Sequence, residues 1–378
     1  MIFGVPKEAL RHEHRVGLTP YAVAQLVQAG HEVFVERDAG SHSHFTDETY
    51  QEAGASIAYS PEEVFGRADV VCRVGMLHAD EIEMLKPGST VCGFLHLAVM
   101  PRDLIDGLRE RRVTAIGYEI IEGGPERPIL RALSEIAGQM VVHKAASLLE
   151  YEQGGRGVVL GAAPGIPPAT MVVLGAGTVG KTAARFGLAA GAHVIVLDNA
   201  IERLRECTEH CRPGEVVTLF ASRRNIARAT AVADVLVGAV NVPGARTPSL
   251  VTEDMVRAMK PGSVILDLSI DEGGCVETSR PTTPDNPTFQ VHGVTHYCVP
   301  NMTSGVPRTA SRALSLAAMP YLADLADQGI VRALATRPGL ARGTYLFRGS
   351  MVHRMAAAAL DMPVEPLGEL LDAASAEE

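Results

Sequence analysis

Short apolar runs recur along this chain, each followed by a turn and then by apolar positions at helical spacing. In the first third, Ile2–Pro6, His31–Glu36, Asp69–Val74, Thr90–Leu95 and Val113–Tyr118 read as strands. Pro20–Ala29, Glu62–Arg67, Asp80–Leu85 and Arg102–Arg111 read as helices between them, with Gly30 and Pro87-Gly88 as stops. Strands that alternate with helices predict a parallel, doubly wound α/β sheet. Residues 129–150 carry a long helical pattern that leads into a second series of the same kind. Its apolar runs are Met171–Leu174, His193–Leu197, Val216–Phe220, Val235–Val240, Ser263–Leu268 and Val291–Val299. A helix over Thr309–Asp327, a helical pattern near Val352–Leu360 and an acidic tail from Glu365 to Glu378 complete the chain. No internal repeat of short period stands out.

The run Met171–Leu174 enters Gly175-Ala176-Gly177-Thr178-Val179-Gly180, a helical pattern follows, and the next apolar run ends on Asp198. Strand, glycine turn, helix, strand, acid is the order of a dinucleotide site. Gly175 permits the tight turn, Gly177 lets a pyrophosphate approach the backbone, and Gly180 lets the helix pack on the strand. With Thr178 and Val179 they form the helix N-terminus, whose unpaired N–H groups favour phosphate. Asp198 would accept the adenosine ribose hydroxyls and repel a 2′-phosphate, which favours NAD over NADP. The same residues, Gly175 to Thr182, also fit the G-x-x-x-x-G-K-T loop of nucleoside triphosphatases, with Val264–Asp267 as a magnesium-holding strand. Asp198 favours the dinucleotide reading. The fold class expected is therefore α/β, two Rossmann-like doubly wound parallel-sheet domains joined by long helices, the second running from about 140 to 300.

Ligands in such sheets bind beyond the carboxyl ends of the strands. The loop after the first strand carries Arg15, a candidate clamp for a carboxylate, which a guanidinium grips with two parallel hydrogen bonds. A solvated surface arginine is the alternative. His96 follows the strand Val91–Leu95, placed for acid–base work near neutral pH, or as a structural histidine. Asp271 ends the strand after Ser263 and could hold an ammonium, an iminium or a reacting water, or cap the turn before Gly273-Gly274. Ala239-Val240-Asn241-Val242-Pro243-Gly244 closes a strand where a nicotinamide ribose could rest.

Composition narrows the field. A net charge of −10, 4% aromatic residues and no Trp argue against nucleic acid or an anionic membrane as the main partner. No apolar run is long enough to span a bilayer. The N-terminus reads as a strand rather than a signal peptide, and the six Cys look like buried thiols, so cytoplasm is the expected compartment. Cys207, His210 and Cys211 invite a zinc reading, but their spacing is not that of a closed structural site.

Taken together, the motifs resemble the family of alanine dehydrogenase and the NAD-binding subunit of nicotinamide nucleotide transhydrogenase. The carriers are Arg15-Val16-Gly17-Leu18-Thr19-Pro20, Phe94-Leu95-His96-Leu97-Ala98, Ser134-Glu135-Ile136-Ala137-Gly138, Gly154-Gly155-Arg156-Gly157-Val158, the glycine turn, Val242-Pro243-Gly244-Ala245 and Ile270-Asp271-Glu272-Gly273-Gly274. The resemblance covers nearly the whole chain and favours NAD at the glycine turn. It implies a substrate-binding arginine at Arg15, an acid/base histidine at His96 and a catalytic aspartate at Asp271. It implies cofactor contacts from Ser134, Asp198, Arg203, Ser222 and Asn301, with Arg203 where lysine is commoner. It further implies a discontinuous substrate domain, 1–130 plus 305–378, around an NAD-binding domain, 140–300, and a homo-oligomer, typically a hexamer. One motif departs: alanine dehydrogenases carry Lys-Val-Lys-Glu-Pro where this chain has Arg73-Val74-Gly75-Met76-Leu77, so Gly75 stands for the lysine that contacts the keto acid. The expected activity is NAD(H)-linked deamination of a small amino acid such as alanine, or amination of its keto acid. The rivals are a specialised relative acting on another imine or keto acid, and a non-catalytic NAD(H)-binding module.

Overall fold

The computed structural model describes residues 1–124, 126–211, 214–241 and 247–377. The chain forms two compact units, Met1–Leu133 with Ser304–Glu378, and Ser134–Thr303. The helix Pro128–Leu148 runs from the first unit into the second, and the 3₁₀ turn Met302–Gly305 marks the return.

Strands β1 (Ile2–Val5), β2 (Glu32–Glu36), β3 (Ser56–Ala58), β4 (Val70–Cys72), β5 (Thr90–Gly93) and β6 (Thr114–Gly117) belong to the first unit. The second unit holds β7 (Thr170–Leu174), β8 (His193–Asp198), β9 (Val216–Phe220), β10 (Val235–Gly238), β11 (Val264–Asp267), β12 (Thr288–Val291) and β13 (Val294–Tyr297). The chain then returns to the first unit for β14 (Thr344–Phe347) and β15 (Ser350–Met351). The sheet orders are β15-β14-β6-β5-β4-β1-β2-β3 and β12-β13-β11-β10-β7-β8-β9. In each, the first strand lies between the second and the fourth, so the winding reverses beside β1 and beside β7. Central strands such as β10 and β11 are buried throughout, as a sheet covered on both faces demands. The edge strand β9 instead exposes Val217 and Phe220.

The units share a device that fixes their first strands. The Ile2 N–H donates to Asp69 (2.9 Å), and Lys86 pairs with that carboxylate (2.6 Å). The Thr170 N–H donates to Asp234 (2.8 Å), and Lys260 pairs with it (2.9 Å). The segments match in sequence: Ala68-Asp69-Val70-Val71 with Leu85-Lys86-Pro87-Gly88-Ser89, and Ala233-Asp234-Val235-Leu236 with Met259-Lys260-Pro261-Gly262-Ser263.

Both sheets are mixed, because antiparallel hairpins close one edge of each. The expected single strand Val291–Val299 is in fact one such hairpin. His292 (φ 52°) and Gly293 (φ 74°) form a two-residue turn with both residues left-handed, so Val291 ends β12 and β13 begins at Val294. The hairpin β14–β15 turns the same way at Arg348 (φ 47°) and Gly349 (φ 87°). The acidic tail contains a helix, Leu367–Glu377, with Leu371 and Ala374 buried. All six cysteines are free and buried.

His296 on β13 is fully buried, with Nδ1 3.0 Å from the Val294 carbonyl and Nε2 2.8 Å from the Thr278 hydroxyl. The carbonyl can only accept, so Nδ1 carries a proton, and Nε2 faces a hydroxyl that can donate to it. Burial holds its pKa below the ordinary value, as it does for His353 and, with help from the neighbouring His42, for His14. The unfolded chain then binds more protons than the folded one at pH values between the lowered pKa and about 6.5, so stability falls as pH falls through that window. We expect the melting temperature to drop between about pH 7.5 and 5.5, and His296→Gln to flatten that slope in a calorimetric pH series.

Candidate active site

In the second unit the glycine turn sits at the reversal point beside β7. Gly175 has φ +100°, and a Cβ there would lie 2.4 Å from the Ala239 carbonyl oxygen. A Cβ on Gly180 would lie 1.8 Å from the Gly175 oxygen, so only glycine lets the helix Thr178–Ala189 rise against the turn. A Cβ on Gly177 would meet nothing within 4 Å among the described residues. Gly177 is also the N-cap and brings no side chain to the first helical N–H groups, which have no partner within the helix. A bare, open helix start suits a pyrophosphate.

Asp198 closes β8 and is buried. One carboxylate oxygen accepts from the Ala176 N–H (2.7 Å) and the other from the Ala200 N–H (2.8 Å). Each oxygen keeps a second lone pair for a ribose hydroxyl. Arg203 reaches within 3.9 Å of the same carboxylate from the helix that follows. Ser222 caps the helix after β9 by accepting from the Asn225 N–H (3.2 Å). The Val240 N–H donates to Ser269 (3.0 Å) beyond β10. The helix Pro128–Leu148 packs so closely on the dinucleotide helix that a Cβ on Gly138 would lie 2.7 Å from the Val179 oxygen. Ser134, one turn earlier on the same helix face, is half-buried.

The triphosphatase reading does not fit this geometry. Lys181 pairs with Glu206 (2.6 Å) on the next helix. Asp267, the would-be magnesium ligand, is buried, and its oxygens accept from the N–H groups of Ser269, Cys275 and Val276. It is Asp267, not Asp271, that caps the turn Leu268–Glu272. Asp271 is exposed, and its Oδ1 accepts from the N–H of Asn301 (3.1 Å), which is left-handed at φ 51°. The motif Val242-Pro243-Gly244-Ala245 lies outside the described residues. Cys207 and Cys211 are free and buried, and the His210 ring bonds to the Glu206 carbonyl. Among the described residues no group of three or more His, Cys, Asp or Glu side chains is arranged to hold a metal.

In the first unit β1, β4 and β5 are neighbours, so the loops that follow them leave one edge of the sheet. Arg15 follows β1 and is buried, with Nε and Nη2 both on the Glu13 carboxylate. It is not the surface arginine of the alternative reading; Glu13 fixes the plane of its guanidinium. Arg73, fully buried after β4, pairs with Glu8 (3.0 Å) and Glu81 (2.8 Å). Glu8 also accepts from the N–H groups of Val74 and Gly75. Burial raises the Glu8 pKa and Arg73 opposes the rise. A Cβ on Gly75 would meet only Glu8 Oε2, at an unstrained 3.6 Å. His96 follows β5, half-buried and left-handed at φ 46°, and its ring stacks on Phe94 at 6.3 Å. Glu8, Glu13 and Glu119 form part of this edge and escaped the sequence reading; an acid two residues before a proposed arginine clamp was the available signal for Glu13.

These features define a two-unit α/β protein with a dinucleotide-type turn in one unit and an arginine–histidine edge in the other. Residues 4–138 match the family model "Alanine dehydrogenase/PNT, N-terminal domain", and residues 141–354 match "Alanine dehydrogenase/PNT, C-terminal domain". The alanine dehydrogenase of Methanococcus maripaludis is 41% identical over 374 residues, 98% of this chain and 100% of the relative. A solved L-alanine dehydrogenase superposes with a TM-score of 0.89 at 41% identity, covering 96% of this chain and 99% of the other. A transhydrogenase from Sinorhizobium meliloti shares the fold, with a TM-score of 0.78 at 24% identity over 93% of this chain and 99% of the other. The chain belongs to the alanine dehydrogenase/PNT family.

The contacts at the glycine turn separate two substitutions. Gly180→Ala should lower stability by about 1–3 kcal/mol, because the turn must move to admit the methyl group. Gly177→Ala should leave the melting temperature within about 2 °C of the parent, since a shift of about 0.5 kcal/mol is small for a chain this size. Thermal melts of the two variants check both.

Proposed function

We propose that this chain is an NAD(H)-dependent amino-acid dehydrogenase that deaminates a small L-amino acid such as alanine, or aminates its keto acid. The observation that carries the reading is the pairing of a glycine turn and ribose-type acid in the second unit with Arg15 and His96 at the sheet edge of the first. In this reading the second unit binds the cofactor through Gly175, Gly177, Thr178, Val179, Gly180 and Asp198, with Ser134, Arg203, Ser222, Val240 and Asn301 around them. The first unit binds the substrate.

Held by these residues, NAD would supply the acceptor for the hydride of the substrate's α-carbon. Arg15 receives the substrate carboxylate on a guanidinium held flat by Glu13. His96 takes and returns the proton during hydrolysis of the imine, as an imidazole can near neutral pH. Asp271 holds the ammonium or the reacting water. No helix of the described residues is long and apolar enough to cross a membrane. A small soluble substrate, a cytoplasmic location and a homo-oligomer, a hexamer by family, fit the reading.

Gly75 supports a second reading, in which the substrate is another keto acid or imine. On the resemblance described above Gly75 takes the place of a lysine, and a Cβ there would meet only Glu8 Oε2, at 3.6 Å. Loss of one such donor removes about 2.7–4 kcal/mol of charge stabilisation, roughly a hundred- to thousandfold in rate. A larger substrate, or one that brings its own group, would fill the space.

The test is NADH formation with a panel of amino acids, and NADH consumption with keto acids plus ammonia. At least one substrate should exceed an Arg15→Ala control by about a hundredfold or more, the scale of a lost buried ion pair. No such substrate would end the enzyme reading, and tight NADH binding alone would favour a non-catalytic module. The second reading adds that Gly75→Lys should raise turnover of pyruvate and ammonia while lowering turnover of the preferred substrate. If neither rate moves, glycine 75 does not set the specificity.

A further inference from the structure

Glu119 lies just beyond β6 and is 6% exposed. Its Oε1 accepts the backbone N–H of His96 at 2.7 Å and the hydroxyl of Tyr345 at 2.8 Å. Tyr345 is 2% exposed and belongs to β14, which pairs antiparallel with β6. Its ring meets His353 edge-on at 5.1 Å. Gly117 makes room for the arrangement: a Cβ there would lie 2.4 Å from the Tyr345 ring and 2.9 Å from Glu119 Oε1. The other oxygen, Oε2, is buried without a hydrogen-bond partner among the described residues.

His96 holds an unfavourable backbone conformation for a residue with a Cβ, φ 46° and ψ 43°. Such a conformation persists only where its surroundings fix it. A bond from its N–H to a buried carboxylate is a strong fixing contact, because a charged acceptor makes a shorter and stronger bond than a neutral one. Without that acceptor the segment can relax toward the right-handed region, which swings the Cα–Cβ bond and with it the imidazole.

We propose that Glu119, oriented by Tyr345 from the distal part of the chain, is a positioning residue that holds His96 in its left-handed conformation and so aims its imidazole. The proposal rests on the acid–base role assigned to His96 above. It assigns Glu119 no contact with substrate.

The test compares Glu119→Ala, Glu119→Gln and Tyr345→Phe in the full-length protein. Glutamine keeps an oxygen where Oε1 stands and places its amide nitrogen where Oε2 has no partner to lose. Two readouts are taken: kcat and KM on the best substrate, and backbone hydrogen exchange of the peptide around residues 94–100. Glu119→Ala should lower kcat by about a hundredfold with KM for NAD unchanged, the scale of a misaimed catalytic group. It should also speed exchange at the His96 amide. Glu119→Gln should restore kcat to within about tenfold of the parent and restore protection, since a neutral acceptor bonds more weakly than a charged one. Tyr345→Phe should fall between the parent and Glu119→Ala on both readouts. Unchanged exchange at His96 in Glu119→Ala, or a glutamine variant as impaired as the alanine variant on both readouts, overturns the proposal. If the parent turns over no amino or keto acid, the acid–base reading fails, whereas the exchange measurement still decides whether Glu119 holds His96.

Discussion

Parallel pairing is the constraint on which both units depend. A strand cannot be followed by a parallel neighbour without a crossover, and here the crossovers are helices or longer segments. Every loop that leaves a parallel strand by its carboxyl end therefore emerges at one edge. The central strands are largely apolar and buried, so chemistry sits in those loops. Where the winding reverses, beside β1 and β7, two such loops diverge and leave room. Arg15 follows β1, and the glycine turn follows β7.

A second regularity concerns how these loops are held. Again and again a carboxylate accepts backbone N–H groups: Glu8 from Val74 and Gly75, Asp198 from Ala176 and Ala200, Asp267 from Ser269, Cys275 and Val276, Glu119 from His96. A loop at the mouth of a site cannot bond its own amides as a helix or sheet does. A side-chain anion supplies the missing acceptor and fixes the loop at the same time. Arg73 shows the counterpart for cations: it is fully buried and held between two glutamates. Removing one partner of such a set leaves an uncompensated charge, so the set persists as a unit.

Much of this was legible in the sequence because parallel sheets write themselves plainly. β7, β8, β10 and β11 are short runs of Val, Ile and Leu, and the glycine turn has a fixed spacing. The hairpins were not legible. Their turns, His292-Gly293 and Arg348-Gly349, lack the Asn or Asp that usually marks a two-residue hairpin, so β12 merged with β13 and β14–β15 passed unseen. The terminal helix was hidden by its charge, because Leu371 and Ala374 are too few to advertise an apolar face. The Asp-and-Lys-Pro-Gly-Ser match between the units was present in the letters, but its members stand far apart and no short period reveals it. At the candidate site, residue types pointed to Arg15, His96 and Asp271, whereas Glu119 became visible only through its partners.

The pairing of β6 with β14 has a consequence for synthesis on the ribosome. β6 leaves the exit tunnel with the first 133 residues, yet the strand that covers its outer edge comes more than 200 residues later, after the whole of the second unit. Until then the nascent first unit carries an open row of backbone donors and acceptors along an apolar strand, the kind of edge that recruits strands from neighbouring chains. The second unit, continuous in the chain, can close its own sheet first. The sheet of the split unit is therefore the one whose last strands are synthesised after the whole of the inserted unit.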